Sequence, residues 1–499
     1  MRAAHGSAYF RGALRTAGLL SSLVLLVGNA APAGAGQAGS GPASFAAYYA
    51  PTTAGFWTQN SGEPSIGAHW TTGSVMYQAA LETLQLTFDD STKPARIAWT
   101  PRAYCNFTPV PTTGCETITT QASLDSILFT DHVTGRTFVG QLSADCTLMA
   151  YSDNDGLTWT NNPVGCGIGG GFDHESFGGG PFSSQGVLQP ITSYPNTFYE
   201  CAQSLVADQC ALSLDGGNTF LPSQQVETGM CIGLHGHIKS APNGTVYLPT
   251  NACYDQEPNP ALCQTSPVVN CWGKEAVMVS KDNGLHWAIR DIPGTLGGFD
   301  ISTQENHSDP SVAVGAAGTV YYGFRNVKDG QPYVAISKDQ GQTWSTPLNV
   351  GVAAGIKNME FAALVAGDDN RAAFTFLGSS TAGDDQLASF PGAWHLYVAF
   401  TYDGGTTWSV VNATPNDPVQ RGCIWMQGGS NPCRNMLDFN DATVTKSGRV
   451  VVAFTDGCSG VCDQPGGTAN YSTIAAVARQ QSGRGLFAAY DSTGFIPGN

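Results

Sequence analysis

The chain alternates apolar and polar residues in short runs, and these runs come in pairs joined by turns that mostly contain glycine. Alternation with a period of two is typical of a β-strand with one buried face, and two such runs around a tight turn predict a β-hairpin. Seven hairpins follow from the pattern, and they begin near Ser65, Ser126, Pro181, His237, Ser311, Ala362 and Ala442. The pattern therefore predicts an all-β protein.

An eight-residue segment follows five of these hairpins, and its copies run over residues 152–159, 213–220, 280–287, 337–344 and 401–408. Successive copies are 61, 67, 57 and 64 residues apart. In the copy SKDQGQTW, serine and aspartate oxygens suit turns that bind nearby backbone N–H groups. Glycine supplies a backbone conformation that other residues resist. We interpret the octet as a rigid turn, because one aspartate falls far short of the six to eight oxygens that Ca²⁺ prefers.

Hairpin, strand, octet and strand together make a four-stranded unit of about 60 residues, and radial repetition of such sheets gives a β-propeller. We predict seven four-stranded blades, and six is the alternative if one weak unit is an insertion. The first and last units carry only degenerate octets, near Phe88 and Arg479. Atypical terminal repeats are expected where a ring must close.

The octets resemble the Asp-box (BNR) repeats of sialidases and related propeller glycosidases, and the resemblance covers about Ser65 to Phe487. It implies that the octets lie on the blade rim and that the protein resembles exo-sialidases. Members of that family hold the substrate carboxylate with three arginines, and they use a tyrosine activated by a glutamate together with an aspartate. They also carry an Arg-Ile-Pro element near the first blade, where this chain reads GEPSIG. The sialidase catalytic set is therefore not carried over to this chain.

The first residues predict export from the cytoplasm. Arg2, Arg11 and Arg15 precede an apolar run over residues 17–27 and an alanine-rich stretch, which is the pattern of a secretory signal peptide. We assign residues 1–35 to the signal peptide and residues 36–499 to a single propeller domain, so we expect a secreted protein. An uncleaved membrane anchor is the alternative reading of the same stretch.

Fourteen cysteines follow the predicted signal peptide, and in an oxidising compartment they indicate disulfides. Short spacings suggest four local pairs, Cys105/Cys115, Cys201/Cys210, Cys423/Cys433 and Cys458/Cys462. The net charge of −16 argues against nucleic acid or an anionic membrane surface as a partner. No nucleotide-binding loop is present. We expect a monomer that needs no cofactor and acts on a glycan.

The residues just before the first strand of each hairpin are unusually polar. In a propeller the innermost strands line a central channel, so these residues are expected to meet at its entrance. Glycoside hydrolysis needs two carboxyl groups, and a histidine can act as a base near neutral pH. The candidates for catalysis are Glu63, His174, Glu175, Asp309, Glu360 and Asp438, and those for substrate binding are Asp125, His235, His237, His307, Arg325 and Arg434.

Three other interpretations stay open at this point. Short polar residues favour turns in any case, so the entrance residues can be scaffold in a propeller that binds glycans or proteins without catalysis. A polysaccharide lyase can use a channel histidine to abstract a proton beside a uronate carboxylate, with an arginine to neutralise it. The pair His235 and His237 also permits a metal site if further ligands converge on it.

Overall fold

Seven four-stranded antiparallel sheets follow one another in a computed structural model, which describes residues 41–102, 124–143, 146–162, 173–204, 207–227, 231, 234–254, 272–300 and 305–498. This arrangement confirms the predicted all-β propeller with seven blades. Six of the sheets use four strands that are consecutive in the sequence. The helical segments among the described residues are short 3-10 turns: Thr52–Ala54, Trp57–Gln59, Val352–Ala354, Pro432–Arg434 and Ala488–Tyr490.

The first strand of the chain, β1, spans Ser44–Tyr49, and the blades begin after it. Blade 1 contains β2 Ser65–Ala68, β3 Val75–Ala79, β4 Glu82–Asp89 and β5 Arg96–Pro101. Blade 2 contains β6 Leu124–Thr130, β7 Thr137–Ser143, β8 Cys146–Ser152 and β9 Thr160–Asn162. Blade 3 contains β10 Asp173–Pro181, β11 Asn196–Gln203, β12 Asp208–Ser213 and β13 Gln224–Gln225. Blade 4 contains β14 Lys239–Ser240, β15 Val246–Cys253, β16 Lys274–Ser280 and β17 Ala288–Asp291.

The later blades repeat this plan after a small hairpin formed by β18 Phe299–Asp300 and β19 Glu305–Asn306. Blade 5 contains β20 Ser311–Val314, β21 Val320–Asn326, β22 Gln331–Ser337 and β23 Leu348–Asn349. Blade 6 contains β24 Asn358–Ala366, β25 Ala372–Ser379, β26 Ala393–Thr401, β27 Ser409–Asn412 and the short β28 Gln420–Arg421, which pairs with β26. Blade 7 contains β29 Asp441–Val444, β30 Val450–Asp456 and β31 Ile474–Ser482.

Blade 7 takes its fourth strand from the other end of the chain. Strand β1 pairs antiparallel with β31, from Ser44 opposite Ser482 to Tyr49 opposite Ala476. No strand of blade 7 therefore follows the degenerate octet near Arg479, because β1 fills that place in the sheet. This shared sheet explains why the last repeat is atypical, as the sequence predicted.

The innermost strand of each blade is its first strand. Strands β2, β6, β10, β14, β20, β24 and β29 each lie beside the corresponding strands of the two neighbouring blades, and together they close a ring. Side chains from facing sheets fill each gap between blades with a separate hydrophobic cluster. In the gap between blades 2 and 3, the rings of Phe138 and Phe198 stack with centroids 3.8 Å apart.

The octet is a hydrogen-bonded turn between the third and fourth strands. In residues 337–344, the backbone N–H of Gly341 donates to Ser337 Oγ at 2.8 Å. The backbone N–H and hydroxyl of Thr343 donate to the two oxygens of Asp339 at 2.8 and 2.6 Å. The indole N–H of Trp344 donates to the Gly341 carbonyl at 3.1 Å. Every fixed position of the octet thus has a role in the turn.

The copy over residues 152–159 has an asparagine where the others have aspartate. The backbone N–H of Thr158 donates to Asn154 Oδ1 at 2.9 Å, as it does to aspartate elsewhere. The neighbouring Asp155 reaches across to blade 1, where it binds His69 Nδ1 at 2.7 Å and the hydroxyl of Ser74 at 3.0 Å. This octet therefore also ties two blades together.

Four disulfides join described cysteines, and three of them are among the predicted local pairs: Cys201–Cys210, Cys423–Cys433 and Cys458–Cys462. The fourth, Cys231–Cys253, was not predicted. It links cysteines 22 residues apart, which come together because Cys253 ends β15 and bridges to Cys231. The predicted pair Cys105/Cys115 and the predicted signal peptide lie outside the described residues. Within the described ranges, no helix combines the length and apolar character needed to cross a membrane.

Candidate active site at the channel entrance

The structure brings the residues predicted for the site to one end of the ring. Glu63 lies just before β2, and Asp438 lies just before β29. Arg325 is near the end of β21, and Arg434 is in the 3-10 turn that precedes β29. The remaining candidates lie at the starts of the other innermost strands: Asp125, His174, Glu175, His235, His237, His307, Asp309 and Glu360. The octets lie at the opposite end of their strands.

Four candidates lie inside the innermost strands, although the sequence placed them before those strands: Asp125, His174, Glu175 and Glu360. The strands begin earlier than predicted because β-bulges let the ladder continue towards the entrance, with shifts between Leu124 and Ile127, Asp173 and Ser176, and Glu360 and Ala363. A bulge is commonly found beside an active site, where it re-aims a side chain.

Three residues at the channel entrance have a strained, left-handed backbone conformation. Asp125 and His174 have φ of 55° and 56°, and Glu63 has φ of 47°. Left-handed backbone is uncommon for residues other than glycine, and it costs of order 1–3 kcal/mol unless the surroundings enforce it. Three of the predicted site residues therefore hold conformations that the fold imposes on them.

The first group of charged residues at the entrance is centred on Arg325. Its Nη1 donates to Glu360 Oε1 at 2.8 Å and to Asp385 Oδ2 at 2.8 Å, and its Nη2 donates to Asp385 Oδ1 at 3.1 Å. His307 Nδ1 lies 3.2 Å from Glu360 Oε1. Although burial raises the pKa of Glu360, the charge of Arg325 and the hydrogen bonds from His307 and Ser308 hold it at about 2.

This group also has the composition of a metal site, since His307, Glu360 and Asp385 have ligand atoms within 4.8 Å of one another. The guanidinium of Arg325 already lies between the two carboxylates, however, and supplies the positive charge that a metal would bring. The arrangement is that of a buried ion-pair network rather than an open coordination site.

A second group is centred on His174. Its Nδ1 lies 3.0 Å from Asp309 Oδ2, and its Nε2 lies 3.9 Å from Asp173 Oδ1. Burial lowers the pKa of His174, but the negative charges of Asp309 and Asp173 outweigh burial and raise it well above its usual value. His174 is therefore an imidazolium held between two carboxylates, and it cannot accept a proton as a base.

His235 and His237, the pair that the sequence offered for a metal site, both precede β14 and lie on no common strand. His235 forms an isolated bridge with Thr250, and His237 lies in the segment just before β14. The Nδ1 of His235 lies 3.0 Å from the Gly236 carbonyl, whereas His237 Nδ1 lies 3.6 Å from Asp441 Oδ1. Burial lowers the pKa of His235 to about 3. The two imidazoles thus have separate partners and do not converge.

Arg434 and Glu63 flank Asp438. Both terminal nitrogens of Arg434 bind the Asp438 carboxylate, with Nη2 2.6 Å from Oδ2. The backbone N–H of Asp438 donates to Glu63 Oε1 at 3.2 Å. Burial, followed by the negative charges of Asp125 and Asp438, raises the pKa of Glu63 well above its usual value. Burial and the two neighbouring carboxylates thus favour the protonated form of Glu63.

The carboxyl groups of Asp125 and Asp173 form a pair whose pKa values are shifted in opposite directions. Burial, the negative charge of Asp173 and the hydrogen bond between the two side chains raise the pKa of Asp125 to about 7. Burial also raises the pKa of Asp173, but the charge of His174 and the hydrogen bond from Asp125 bring it below its usual value. The side chain of Asp173 is 52% exposed. One proton thus resides on Asp125, while Asp173 is ionised and open to solvent.

A cavity of about 270 Å³ lies beside Asp125, between blades 1, 2 and 7 and the segment before blade 1. Among the described residues that line it, Glu63 and Asp125 are the charged ones, and Trp57, Ser126 and Leu437 also line it. Ser126 is 2% exposed. Its hydroxyl and the indole N–H of Trp57 have no hydrogen-bond partner among the described residues. Buried polar groups normally have partners, and these two atoms lie just behind the wall of the cavity.

Two other acidic side chains are buried behind the entrance. Glu175 is 2% exposed, and neither of its oxygens has a hydrogen-bond partner within the described ranges. Burial, then the charges of Asp125 and Glu200, raise its pKa well above the usual value. Tyr322 donates to Glu275 Oε2 at 2.8 Å, but Tyr322 has no exposed surface and belongs to the cluster between blades 4 and 5. This Tyr–Glu pair therefore does not face the channel.

Sequence reasoning missed three residues of this region. Asp173 was part of the polar segment FDHESFGGGP but was not selected, because only the structure reveals its hydrogen bond to Asp125. Asp385 lies in the loop between the second and third strands of blade 6, which returns to the same end of the ring. Trp57 lies before the first repeat unit and belongs to no recurring sequence pattern. A search of the loops between second and third strands for carboxylates would have found Asp385.

The resemblance drawn from the octets is confirmed by comparison with known families. Residues 181–382 match the family described as a BNR repeat-like domain, and this stretch contains three of the five octets. No curated protein sequence matches the chain. The chain thus carries BNR-type repeats on a seven-bladed β-propeller.

Solved structures similar to this chain include three with different activities. An intramolecular trans-sialidase from Ruminococcus gnavus is 10% identical with a TM-score of 0.37, and the match covers 88% of this chain and 96% of that one. A GH74 enzyme from Niastella koreensis is 14% identical with a TM-score of 0.45, covering 79% and 51%. The six-bladed lectin of Aleuria aurantia is 14% identical with a TM-score of 0.37, covering 70% and 95%.

Proposed function

We propose that the protein is a secreted glycoside hydrolase that removes a terminal sugar from a glycan at the Glu63–Asp125 cavity. The observation that carries this proposal is the cavity itself, which is lined by carboxyl groups from two neighbouring blades. At about 30 Å³ per water molecule, it holds roughly nine waters. It is smaller than a usual ligand pocket of about 300–1,000 Å³, which favours one terminal unit over a polymer segment.

The opposite pKa shifts of Asp125 and Asp173 suggest which of them acts as the acid and which as the base. Pairs of titratable groups whose surroundings separate their pKa values are typical of acid–base catalysis. Asp125 keeps its proton up to about pH 7 and donates it to the departing glycosidic oxygen. Asp173 stays ionised and stabilises the positive charge that develops on the sugar, or it takes a proton from the attacking water. Glu63 lines the same cavity and forms a hydrogen bond with a sugar hydroxyl.

Secretion is part of the proposal. The basic and apolar pattern of residues 1–35 supports a cleaved signal peptide. Four disulfides among the described cysteines support folding in an oxidising compartment. Expression with residues 1–35 intact in a secreting host, followed by N-terminal sequencing of the exported chain, tests this point. A chain that stays in the membrane fraction would support the uncleaved anchor.

The catalytic proposal is tested with Asp125→Asn on a substrate identified from a glycan panel. Loss of the proton donor is expected to lower kcat/KM by about 10²–10⁴-fold. Aryl glycosides with a strongly acidic leaving group need no protonation, so the variant should retain much more activity on them. Asp384→Asn is the matched control, because Asp384 is an exposed aspartate at the same end of the ring and asparagine keeps its acceptor for the Gln386 N–H.

The same panel separates the other interpretations. Unsaturated products from uronate polymers, detected by their absorbance, would support the lyase and contradict the hydrolase. Binding to a glycan array without any turnover would support a non-catalytic propeller. If Asp125→Asn and Asp384→Asn were equally active on substrates with poor leaving groups, Asp125 would not be the acid.

A further inference from the structure

All positive side chains beyond the predicted signal peptide have described positions. Of the 22 lysines and arginines, only Arg2, Arg11 and Arg15 precede residue 41, and every other one lies in a described range. The ranges after residue 41 that the structure does not describe contain neither lysine nor arginine. Every lysine and arginine near the candidate cavity therefore has a described position.

The two arginines among the predicted site residues already bind carboxylates of the chain. Arg325 is buried and binds both Glu360 and Asp385. Arg434 binds both oxygens of Asp438. A substrate carboxylate could reach either guanidinium only by displacing a carboxylate of the protein, which would then be left in the site without its partner.

No cation lines the cavity. Its charged lining residues are Glu63 and Asp125, and Asp173 adds an ionised carboxylate next to Asp125. The imidazolium of His174 is the nearest positive group to this pair, and it is held between Asp309 and Asp173. An anionic sugar would therefore bring a further negative charge into a site that already has an excess of acidic groups.

We propose that the terminal sugar taken by this cavity is uncharged or carries an amino group, and that sialic and uronic acids are excluded. The inference rests on the proposed function and names its substrate class. The hydroxyls of such a sugar can hydrogen-bond to the carboxyl groups of Glu63 and Asp125, which line the cavity. A protonated amine would be attracted by Asp173, whose side chain is half exposed.

The test compares fluorogenic glycosides with one common leaving group on the full secreted chain: an α-sialoside, a β-glucuronide, and anomeric pairs of neutral hexosides and hexosaminides. Like charges brought together in an interface cost several kcal/mol. We therefore expect kcat/KM to be at least about 100-fold higher for the best non-anionic substrate than for either acid. Salt screens repulsion between charges, so added salt should lower KM only for residual activity on the acids.

Binding separates failure of this inference from failure of the proposed function. Saturation-transfer NMR with free galactose, glucosamine, sialic acid and glucuronic acid is read on the same protein. If no glycoside is cleaved but only neutral or amino sugars bind, the hydrolase proposal fails and the substrate class holds. Cleavage or binding of sialic or glucuronic acid as strong as that of the non-anionic sugars would overturn the inference, whether or not the protein is a hydrolase.

Discussion

Arg325 shows how one side chain organises a sector of the channel entrance. It is 6% exposed and holds Glu360 and Asp385, which are themselves almost completely buried. Desolvation can exceed the attraction within a buried ion pair, but removal of one partner is costly because it leaves a buried charge uncompensated. Arg325 is therefore expected to matter for stability whatever the protein binds.

We predict that Arg325→Met lowers the free energy of unfolding by about 3–5 kcal/mol. The physical reason is that Glu360 and Asp385 lose their shared counter-ion in a buried site. Urea denaturation followed by tryptophan fluorescence measures the change. Arg290→Met, at an exposed position on β17, is the control and should shift stability by less than about 0.5 kcal/mol. Equal midpoints for the two variants would contradict the role assigned to Arg325.

The pKa values of Asp125 and Asp173 lead to a second prediction, which concerns the pH dependence of kcat. Asp125 acts only while it is protonated, and its pKa is about 7. The kcat of the wild-type protein should therefore fall as pH rises through about 7 and stay high on the acidic side, because the pKa of Asp173 lies below its usual value. A pH profile from about 4 to 9, recorded with a substrate that needs protonation, shows this. Asp125→Asn should lack the fall near pH 7, and a wild-type rate that rises through that range would exclude Asp125 as the acid.

At the scale of elements, the octet acts through its own hydrogen bonds. Ser337 is 1% exposed, and its hydroxyl accepts the Gly341 N–H and contacts Asp339 Oδ1, each at 2.8 Å. Four of the five copies place the hydroxyl and the aspartate in the same way, and the fifth uses Asn154. The turn is therefore a local unit that the chain repeats.

We predict that Ser337→Ala destabilises the protein by about 1–3 kcal/mol, because a buried backbone N–H loses its acceptor. Chemical denaturation measures the effect, and hydrogen exchange at the Gly341 amide locates it. Lys338→Ala is the matched control, since Lys338 is the exposed variable position of the same octet. Protection of the Gly341 amide that is unchanged in Ser337→Ala would argue against the proposed role of the hydroxyl.

The whole molecule responds to pH through its buried carboxyl groups. Burial is the largest cause that raises the pKa of Asp125 to about 7, and it raises that of Asp456 to about 8. Burial also raises the pKa values of Glu63, Glu175 and Glu275. In an unfolded chain these groups lose their protons near pH 4. Between about pH 4 and pH 8 these carboxyl groups thus bind more protons in the folded protein than in the unfolded chain, so their contribution to stability falls as pH rises. The lowered pKa values of His132, His235 and His395 act in the opposite sense below about pH 6.5, but fewer groups are involved.

We therefore predict a lower Tm at about pH 8 than at about pH 5, measured by differential scanning calorimetry. Asp456→Asn removes one of the responsible protons and keeps an acceptor for the Cys458 N–H, which now donates to Asp456 Oδ1 at 3.1 Å. The difference in Tm between the two pH values should become smaller in this variant. A Tm that is independent of pH, or higher at about pH 8, would show that the buried acids are ionised in the folded state.

The sequence by itself determined the features that depend on neighbouring residues. The octets predicted rigid turns, their period predicted blades, and seven hairpins predicted the number of blades. Three disulfides followed from short cysteine spacing. These features depend on turn chemistry and on strand periodicity, both of which act within a few residues, so one sequence is enough to reveal them. The position of the polar entrances followed from the phase of the repeats.

Only the tertiary structure decided how the entrance residues are used. Glu360 was a catalytic candidate in the sequence, yet Arg325 neutralises it, and the imidazole of His174 is charged because Asp309 and Asp173 surround it. The pairing of Asp125 with Asp173, and the cavity to which Trp57 contributes, arise where separate blades meet. Charge, desolvation and strand bulges depend on groups that are distant in the sequence, and such groups take their positions only once the ring has closed.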